Sequence, residues 1–380
     1  MSQINVRNIS NENNDGGPNI VGVSTFSATS YFVPPKGTTD ERPQPQNSQG
    51  GDLRFNTDTG SLVYFKGDPL GWVQVEMTSP DLDGGARGLT AGGTGPAPSS
   101  TKTDTIQYTT LSTLGNSIDF GNLDTAVGNS PGACASRTRG IINGGYTGSA
   151  TKYEIRYVTF ASTGDSTDFG DMTDTHSAIA DLSSQTRGIW TFGDSPVANT
   201  LEYITIASTG NAVDFGDSTE GRKNLGACAS STRGLQGGGR DSSNNLEVNI
   251  DYLTIATTGN SSDFGDLTNV KSGNAACSNS TRGMFGGGWN PSYHNVIEYV
   301  TIATLGNASD FGDLTQIRNY PSACASPTRG IWAGGNSPAD ASYDVIDYVE
   351  ILTTGNAVDF GNLIGAITGS GSCSNAHGGL

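Results

Sequence analysis

The tripeptide Asp-Phe-Gly occurs six times, with its aromatic at Phe120, Phe169, Phe215, Phe264, Phe311 and Phe360, at intervals of 49, 46, 49, 47 and 49 residues. Self-similarity at a near-constant period restricts the chain to an array of one supersecondary unit, because such a unit cannot bury its apolar face alone. One unit, residues 276–315, reads ACSNSTRGMFGGGWNPSYHNVIEYVTIATLGNASDFGDLT and breaks into four short segments. AACSNS and TRGMFGGG meet at a polar turn, VIEYVTIAT is a β-branched and aromatic run, and NASDFGDLT follows a Leu-Gly-Asn turn. Four short strands in a unit of roughly this length predict a propeller blade.

The repetition also disposes of a metal-site reading. In a protein kinase, Asp-Phe-Gly holds the magnesium of ATP, but such a site is built once and comes with a glycine-rich loop and a His-Arg-Asp loop that are missing here. A calcium site built from Asn260, Asp263 and Asp266 does not match the spacing of a known loop. No metal or cofactor is expected.

The ends of the array predict how it closes. Thr-Arg-Gly or its equivalent recurs at Arg139, Arg187, Arg233, Arg282 and Arg329, and a sixth copy, ARGLTAGG from Ala86, has no first strand before it. The chain ends on GSCSNAHGGL, a first strand with nothing after it. These halves complement each other, so the expected fold is all-β, a six-bladed propeller over 81–380 closed by the C-terminal strand. Within a blade both sheet faces are covered, which suits Ile297 and Tyr299 on one side and Val300 and Ile302 on the other. The Phe of each tripeptide is then the plug between blades. Both short turns lie at one end of a four-stranded meander, so the Thr-Arg-Gly arginine is expected near an Asp-Phe-Gly aspartate, as in Arg282 with Asp263 or Asp310.

Composition fits this reading. Only 34% of residues are hydrophobic and 54 are glycine, a mix for short strands and tight turns rather than helices. The net charge is −17, and residues 81–380 carry 15 basic against 29 acidic side chains. Such a surface repels nucleic acid and anionic membranes. No apolar run reaches the length of a membrane span, and MSQINVRNIS lacks a signal-peptide core, so synthesis in a cytoplasm is expected. Cys134, Cys228, Cys277, Cys324 and Cys373 share one repeat position, which reads as small buried residues rather than disulfides.

The paired glycines Gly144-Gly145, Gly237-Gly238, Gly286-Gly287 and Gly334-Gly335, followed by a variable loop and a tyrosine-bearing third strand, resemble kelch repeats over residues 86–380. The likeness departs in the fourth strand, where Phe stands for the usual Trp, so the array is kelch-like. Residues 1–80 lie outside it: an extended Asn-rich arm over 1–34, then a Pro-rich linker and small β module over 35–80. In that module GDLRFNTDTGSLVYFKGDPLGWVQVE predicts three strands, with turns at Asp58-Thr59-Gly60 and Gly67-Asp68-Pro69. It resembles a module of phage tail fibres, in which a GTT…RP stretch leads into GDLRFNTDTG and ends at a Trp, here Trp72. VGVSTFS (21–27) and the IATTGNASDFGDLT style of repeat resemble segments of cyanobacterial phage structural proteins.

That resemblance implies a virion protein, a tail fibre or appendage anchored to other virion proteins through residues 1–80, and a homotrimer. The loops between strands two and three and between blades vary most, and both fall at one end. They display Tyr146, Trp289, Tyr293 and Tyr320 among Asn and Asp, a composition suited to recognition of a host-surface glycan or protein. His176, His294 and His377 fall at unrelated repeat positions, and neither a catalytic triad nor a carboxylate pair stands out, so no enzyme is expected. The alternatives are a structural decoration of capsid or tail, and a host glycan depolymerase.

Overall fold

The computed structural model describes residues 35–44, 47–48, 50–58, 61–68, 71–74, 86–191, 193–194, 196–339 and 341–380; the arm expected over 1–34 lies outside them. No α-helix occurs among the described residues, and the fold is all-β. The chain divides into two compact units, residues 1–79 and 80–380.

In the first unit, Lys36–Gly37, Leu53–Asn56, Ser61–Phe65 and Trp72–Gln74 form one sheet in that order. The last three are the antiparallel strands read from the sequence. The first, parallel to the second, comes from the stretch expected to be linker. Proline lacks a backbone donor but keeps its carbonyl, and Pro35 O accepts the Phe55 N–H at 2.7 Å, so the Pro-rich segment serves as an edge strand. Val63 and Phe65 are buried, Trp72 packs 5.6 Å from the Phe65 ring, and its indole N–H donates to Pro43 O.

The second unit contains six four-stranded antiparallel sheets among its described residues, five of them ordered as the chain runs. Sheet I comprises Gly371–Ser374, Arg87–Ala91, Thr103–Thr110 and Ile118–Val127; its first strand comes from the end of the chain, as the incomplete ends predict. Sheet II is Gly132–Ala135, Arg139–Asn143, Glu154–Thr159 and Thr167–Asp171, and sheet III is Ala180–Ser183, Arg187–Thr191, Thr200–Thr205 and Val213–Asp217. Sheet IV is Gly226–Ala229, Arg233–Gly237, Asn249–Thr254 and Ser262–Asp266, and sheet V is Ala275–Ser278, Arg282–Gly286, Val296–Thr301 and Ser309–Asp313. Sheet VI is Ser322–Ala325, Arg329–Ala333, Val345–Glu350 and Val358–Asn362. Each first strand contacts the first strand of the next sheet, and Gly371–Ser374 touches both Ser322–Ala325 and Gly132–Ala135.

Alternation along the third strand splits its apolar side chains between two cores. Ile297 and Tyr299 join Phe311 and Trp332 on one side, while Val300 and Ile302 join Phe264 and Phe285 on the other. Phe120, Phe169, Phe215, Phe264, Phe311 and Phe360 are all buried, and each stands edge-on to its own sheet's third-strand tyrosine at 5.8–6.2 Å. Each is the extra residue of a β-bulge: Asp251 lies opposite Asp263 and Ile250 opposite Gly265, which leaves Phe264 unpaired. The glycine after it has φ +144, and a Cβ there would sit 2.6 Å from the Gly306 carbonyl of the next sheet. Only glycine meets both demands. The close approach makes two bonds, Gly306 N–H to Phe264 O at 2.9 Å and Asp266 N–H to Asn307 Oδ1 at 3.1 Å. The same pair of bonds ties sheet VI to sheet I, through Gly115 to Phe360 O and Asn362 to Asn116 Oδ1.

The arginines do not pair with the aspartates as expected. Arg282 lies opposite Thr301 and so shares a sheet side with Tyr299, whereas Asp310 lies opposite Glu298 on the other side. The Arg282 guanidinium instead stacks 4.7 Å above the Tyr299 ring and donates to Ile351 O of the next sheet at 2.9 Å. Arg139, Arg187, Arg233 and Arg329 repeat both contacts, on Tyr157, Tyr203, Tyr252 and Tyr348. The expectation placed the two turns at one end correctly but ignored which side of the sheet each side chain takes.

The five cysteines are free and buried. Cys228 Sγ would lie 3.0 Å from a Cβ on Gly283, so the glycine of Thr-Arg-Gly leaves room for the preceding sheet's thiol. Burial pushes the Cys228 and Cys324 thiols up to about 12.

Candidate recognition site at the loop end of the sheets

Strands two and three, and successive sheets, are joined at the end opposite the short turns. Sheet sides here are held by polar groups that hydrophobic patterning does not reveal. The third-strand position between the two apolar sets carries Gln107, Arg156, Glu202, Asp251, Glu298 and Asp347, all buried. Each anchors the chain that leads from the preceding sheet into its own. Arg222 Nη2 meets Asp251 at 2.8 Å and Arg318 Nη2 meets Asp347 at 2.9 Å, and Lys271 binds Glu298. The same arginines donate to loop carbonyls, Arg222 to Gly238 and Asn249, Arg318 to Gly334 and Val345. Arg156 reverses the polarity and binds Asp124, while Glu202 takes Thr173 as its partner. Burial raises the Glu202 carboxyl above the usual carboxylate range. The Arg222, Lys271 and Arg318 pairs are buried on both sides, where desolvation offsets much of the attraction, whereas Asp124 is exposed.

On this frame the glycine pairs take positive φ at Gly144-Gly145, Gly238-Gly239, Gly287-Gly288 and Gly334-Gly335. In two repeats the pair therefore falls one residue later than the sequence suggested. Gly237 and Gly286 remain in their strands, where a Cβ would meet the Phe285 ring and the Trp332 indole of the next sheet.

The residue just after each pair, and after Gly92-Gly93 in sheet I and the single Gly193 in sheet III, forms an isolated bridge to the connection between sheets. The six bridges are Thr94 with Thr368, Tyr146 with Gly128, Asp194 with Ser177, Arg240 with Lys223, Trp289 with Ser272, and Asn336 with Asn319. The backbone at these six positions is the same and the side chains are all different, and each is half-buried. Arg240 lies 4.7 Å over the Trp289 ring and donates from Nε to Ser272 Oγ. Trp289–Asn290 and Ser292–Tyr293 form a small hairpin, and Asn336 Nδ2 reaches the Tyr293 hydroxyl. Tyr146, by contrast, folds its hydroxyl onto Gly148 O within its own loop.

A second ring of equivalent positions precedes the first strands. Asn129, Ala178, Asn224, Gly273, Tyr320 and Gly369 all have φ between +52 and +70. Backbone N–H groups link them across sheets, as Gly273 to Asn224 O, Tyr320 to Gly273 O and Gly369 to Tyr320 O. Between the two rings lies a recess of about 200 Å³ that includes Asn129, Asp194, Asn224, Tyr320 and Thr368 in its lining. Burial raises the Tyr320 phenol above its ordinary value, and Tyr293, Arg240 and Asp194 act on it electrostatically.

Of the aromatics singled out in the sequence, Trp289, Tyr293 and Tyr320 gather in one quarter of this end, and Tyr146 stands apart. The missed members are Arg240, Asp194, Asn224 and Asn129. Their signal was available, since each holds a fixed offset from a glycine pair or a first strand. Asn260, weighed as a calcium ligand and set aside on spacing, turns to the preceding sheet, where its Oδ1 accepts the Asp217 N–H. No cluster of metal-ligating side chains occurs among the described residues. No protein-family model matches the chain, and no curated protein matches it.

Proposed function

We propose that the second unit is a six-bladed kelch-like β-propeller closed by its C-terminal strand, and that the chain is a phage virion appendage protein. Residues 1–80 anchor it to other virion proteins, with three copies per fibre, and the loop end of the propeller faces the host surface. Closure is supported by the pairing of Gly371–Ser374 with Arg87–Ala91 and by contacts of that strand with both neighbouring first strands. The virion setting rests on the likeness of the N-terminal module and the repeat wording to phage tail proteins.

One observation carries the recognition reading. Six geometrically equivalent positions hold Thr94, Tyr146, Asp194, Arg240, Trp289 and Asn336 on an unchanging backbone. A fold needs the backbone; it does not need six different chemistries displayed together. The test is binding of the labelled full chain to a panel of cyanobacterial cells, with Trp289→Ala as the loop-end variant and Leu305→Ser, exposed at the turn end, as control. Binding that falls with the first and not the second supports recognition; no binding to any strain favours decoration. Release of reducing sugar from the envelopes would make the chain a depolymerase.

A further inference from the structure

The axial recess invites a narrower assignment, which rests on the recognition reading above. Its volume of about 200 Å³ is below the ~300–1,000 Å³ of pockets that take drug-sized ligands, so it suits one ring. Several of its polar groups come without protein partners: among the described residues neither the Asn129 nor the Asn224 side-chain amide is hydrogen-bonded, and the Thr368 hydroxyl is buried and unpaired, whereas the Thr94 hydroxyl accepts from Lys102 Nζ at 2.9 Å. Each of these both donates and accepts, which is what a ring bearing several hydroxyls requires. Asp194 adds an acceptor, with Oδ1 held by Lys223 Nζ at 3.2 Å.

Tyr320 supplies the apolar wall and is the most telling residue. It sits at φ +52, where the equivalents in two other sheets are Gly273 and Gly369. A tyrosine in the left-handed region is strained, and such strain persists where the side chain has a use. The fold already accommodates glycine at this position twice. Asp194 and Lys223 pair with each other, while Lys102 Nζ reaches Thr94 Oγ1 on the recess wall at 2.9 Å and Arg240 meets a ring and a hydroxyl, so positive charge stands beside the amides and hydroxyls of the lining.

We propose that the recess bounded by Asn129, Asn224, Asp194, Thr368 and Tyr320 is a subsite for a single pyranose at the exposed end of a surface glycan. The amides and Asp194 bind the ring hydroxyls, and Tyr320 stacks on the apolar face of the sugar.

The test uses the full chain in titration calorimetry and ligand-observed NMR with glucose, galactose, mannose and N-acetylglucosamine, and with glucuronate as the charged arm. At least one of these sugars should bind, and Asn224→Ala or Asp194→Asn should weaken it by roughly tenfold. Tyr320→Gly relieves backbone strain, so it should fold at least as firmly by thermal melting yet lose binding by a similar factor. Leu305→Ser should change nothing. The inference is overturned if no sugar binds, or if all three recess variants bind as the parent does. If cells still capture the chain while the recess variants bind them unchanged, recognition stands and the subsite does not; if no cell is bound, the recognition reading fails as well.

Discussion

Gly265→Ala and Gly306→Ala together separate two reasons for a glycine. Both residues have nearly the same backbone, φ +144 and +149, so both substitutions carry the same conformational strain of roughly 1–3 kcal/mol. They differ in what the new methyl meets. At Gly306 nothing lies within 4 Å, whereas at Gly265 it would sit 2.6 Å from the Gly306 carbonyl carbon and oxygen. Atoms at that distance must separate, and the turn that moves carries the bonds to Phe264 O and from Asp266 N–H. Losing two such bonds adds about 2 kcal/mol. Gly265→Ala should therefore destabilise by roughly 3–5 kcal/mol and Gly306→Ala by roughly 1–3 kcal/mol. Equilibrium urea unfolding of the two variants, with the slope checked for constancy, measures the difference. Equal losses would refute the close approach between sheets as the reason for the repeated glycine.

The other predictions concern packing and charge. Phe264→Ala should cost about 3–5 kcal/mol by the same unfolding assay, because the ring is buried between two sheets. Asp310→Ala should lie within about 0.5 kcal/mol of the parent. Arg282→Ala should lose roughly 1–3 kcal/mol from its ring stacking and carbonyl bond, the reverse of what an Arg–Asp pair would give. His377 is buried and neutral, with Nε2–H donating to Ala135 O at 2.9 Å and Nδ1 accepting from Gly379; burial lowers its pKa from 6.5 to about 4. Its contribution is complete above pH 6.5 and lost as pH falls through about 4, a change of roughly 3 kcal/mol that a His377→Gln variant should not show across this range. Asp181 behaves oppositely. Burial raises its carboxyl well above 3.8, so its contribution is full below that pH and lost as pH rises; Asp181→Ser, matching Ser372, should stabilise the chain at pH 7 and not at pH 3.

Much of the fold was written in repeated features. The period of Asp-Phe-Gly set the number of sheets in the second unit, and the unmatched ends at Arg87 and Ser374 foretold which strands pair across the chain. The buried cysteines followed from their shared repeat position. What stayed hidden depends on side-chain direction and on partners far along the chain. Register decides that Asp310, opposite Glu298, and Arg282, opposite Thr301, face apart, and the single-residue bulge that follows leaves each Phe unpaired without any local pattern to announce it. Glu298 sits in an apolar run and reads as an exception until Lys271, from the preceding connection, is seen beside it. At the loop end, aromatic residues drew the eye while Asn129, Asn224 and Asp194 did not, because amides and acids in loops are common and only their alignment across sheets makes them a set. The Pro-rich stretch was read as a spacer because proline cannot donate to a ladder, yet an edge strand needs only its carbonyl.

The most direct test of the account is where the chain sits on an intact particle. Gold-labelled antibody raised against the full chain, imaged by electron microscopy on phage that carry it, should mark the tail or its fibres and leave the capsid wall bare. Label spread over the capsid, or none on the particle, would contradict an appendage that meets the host.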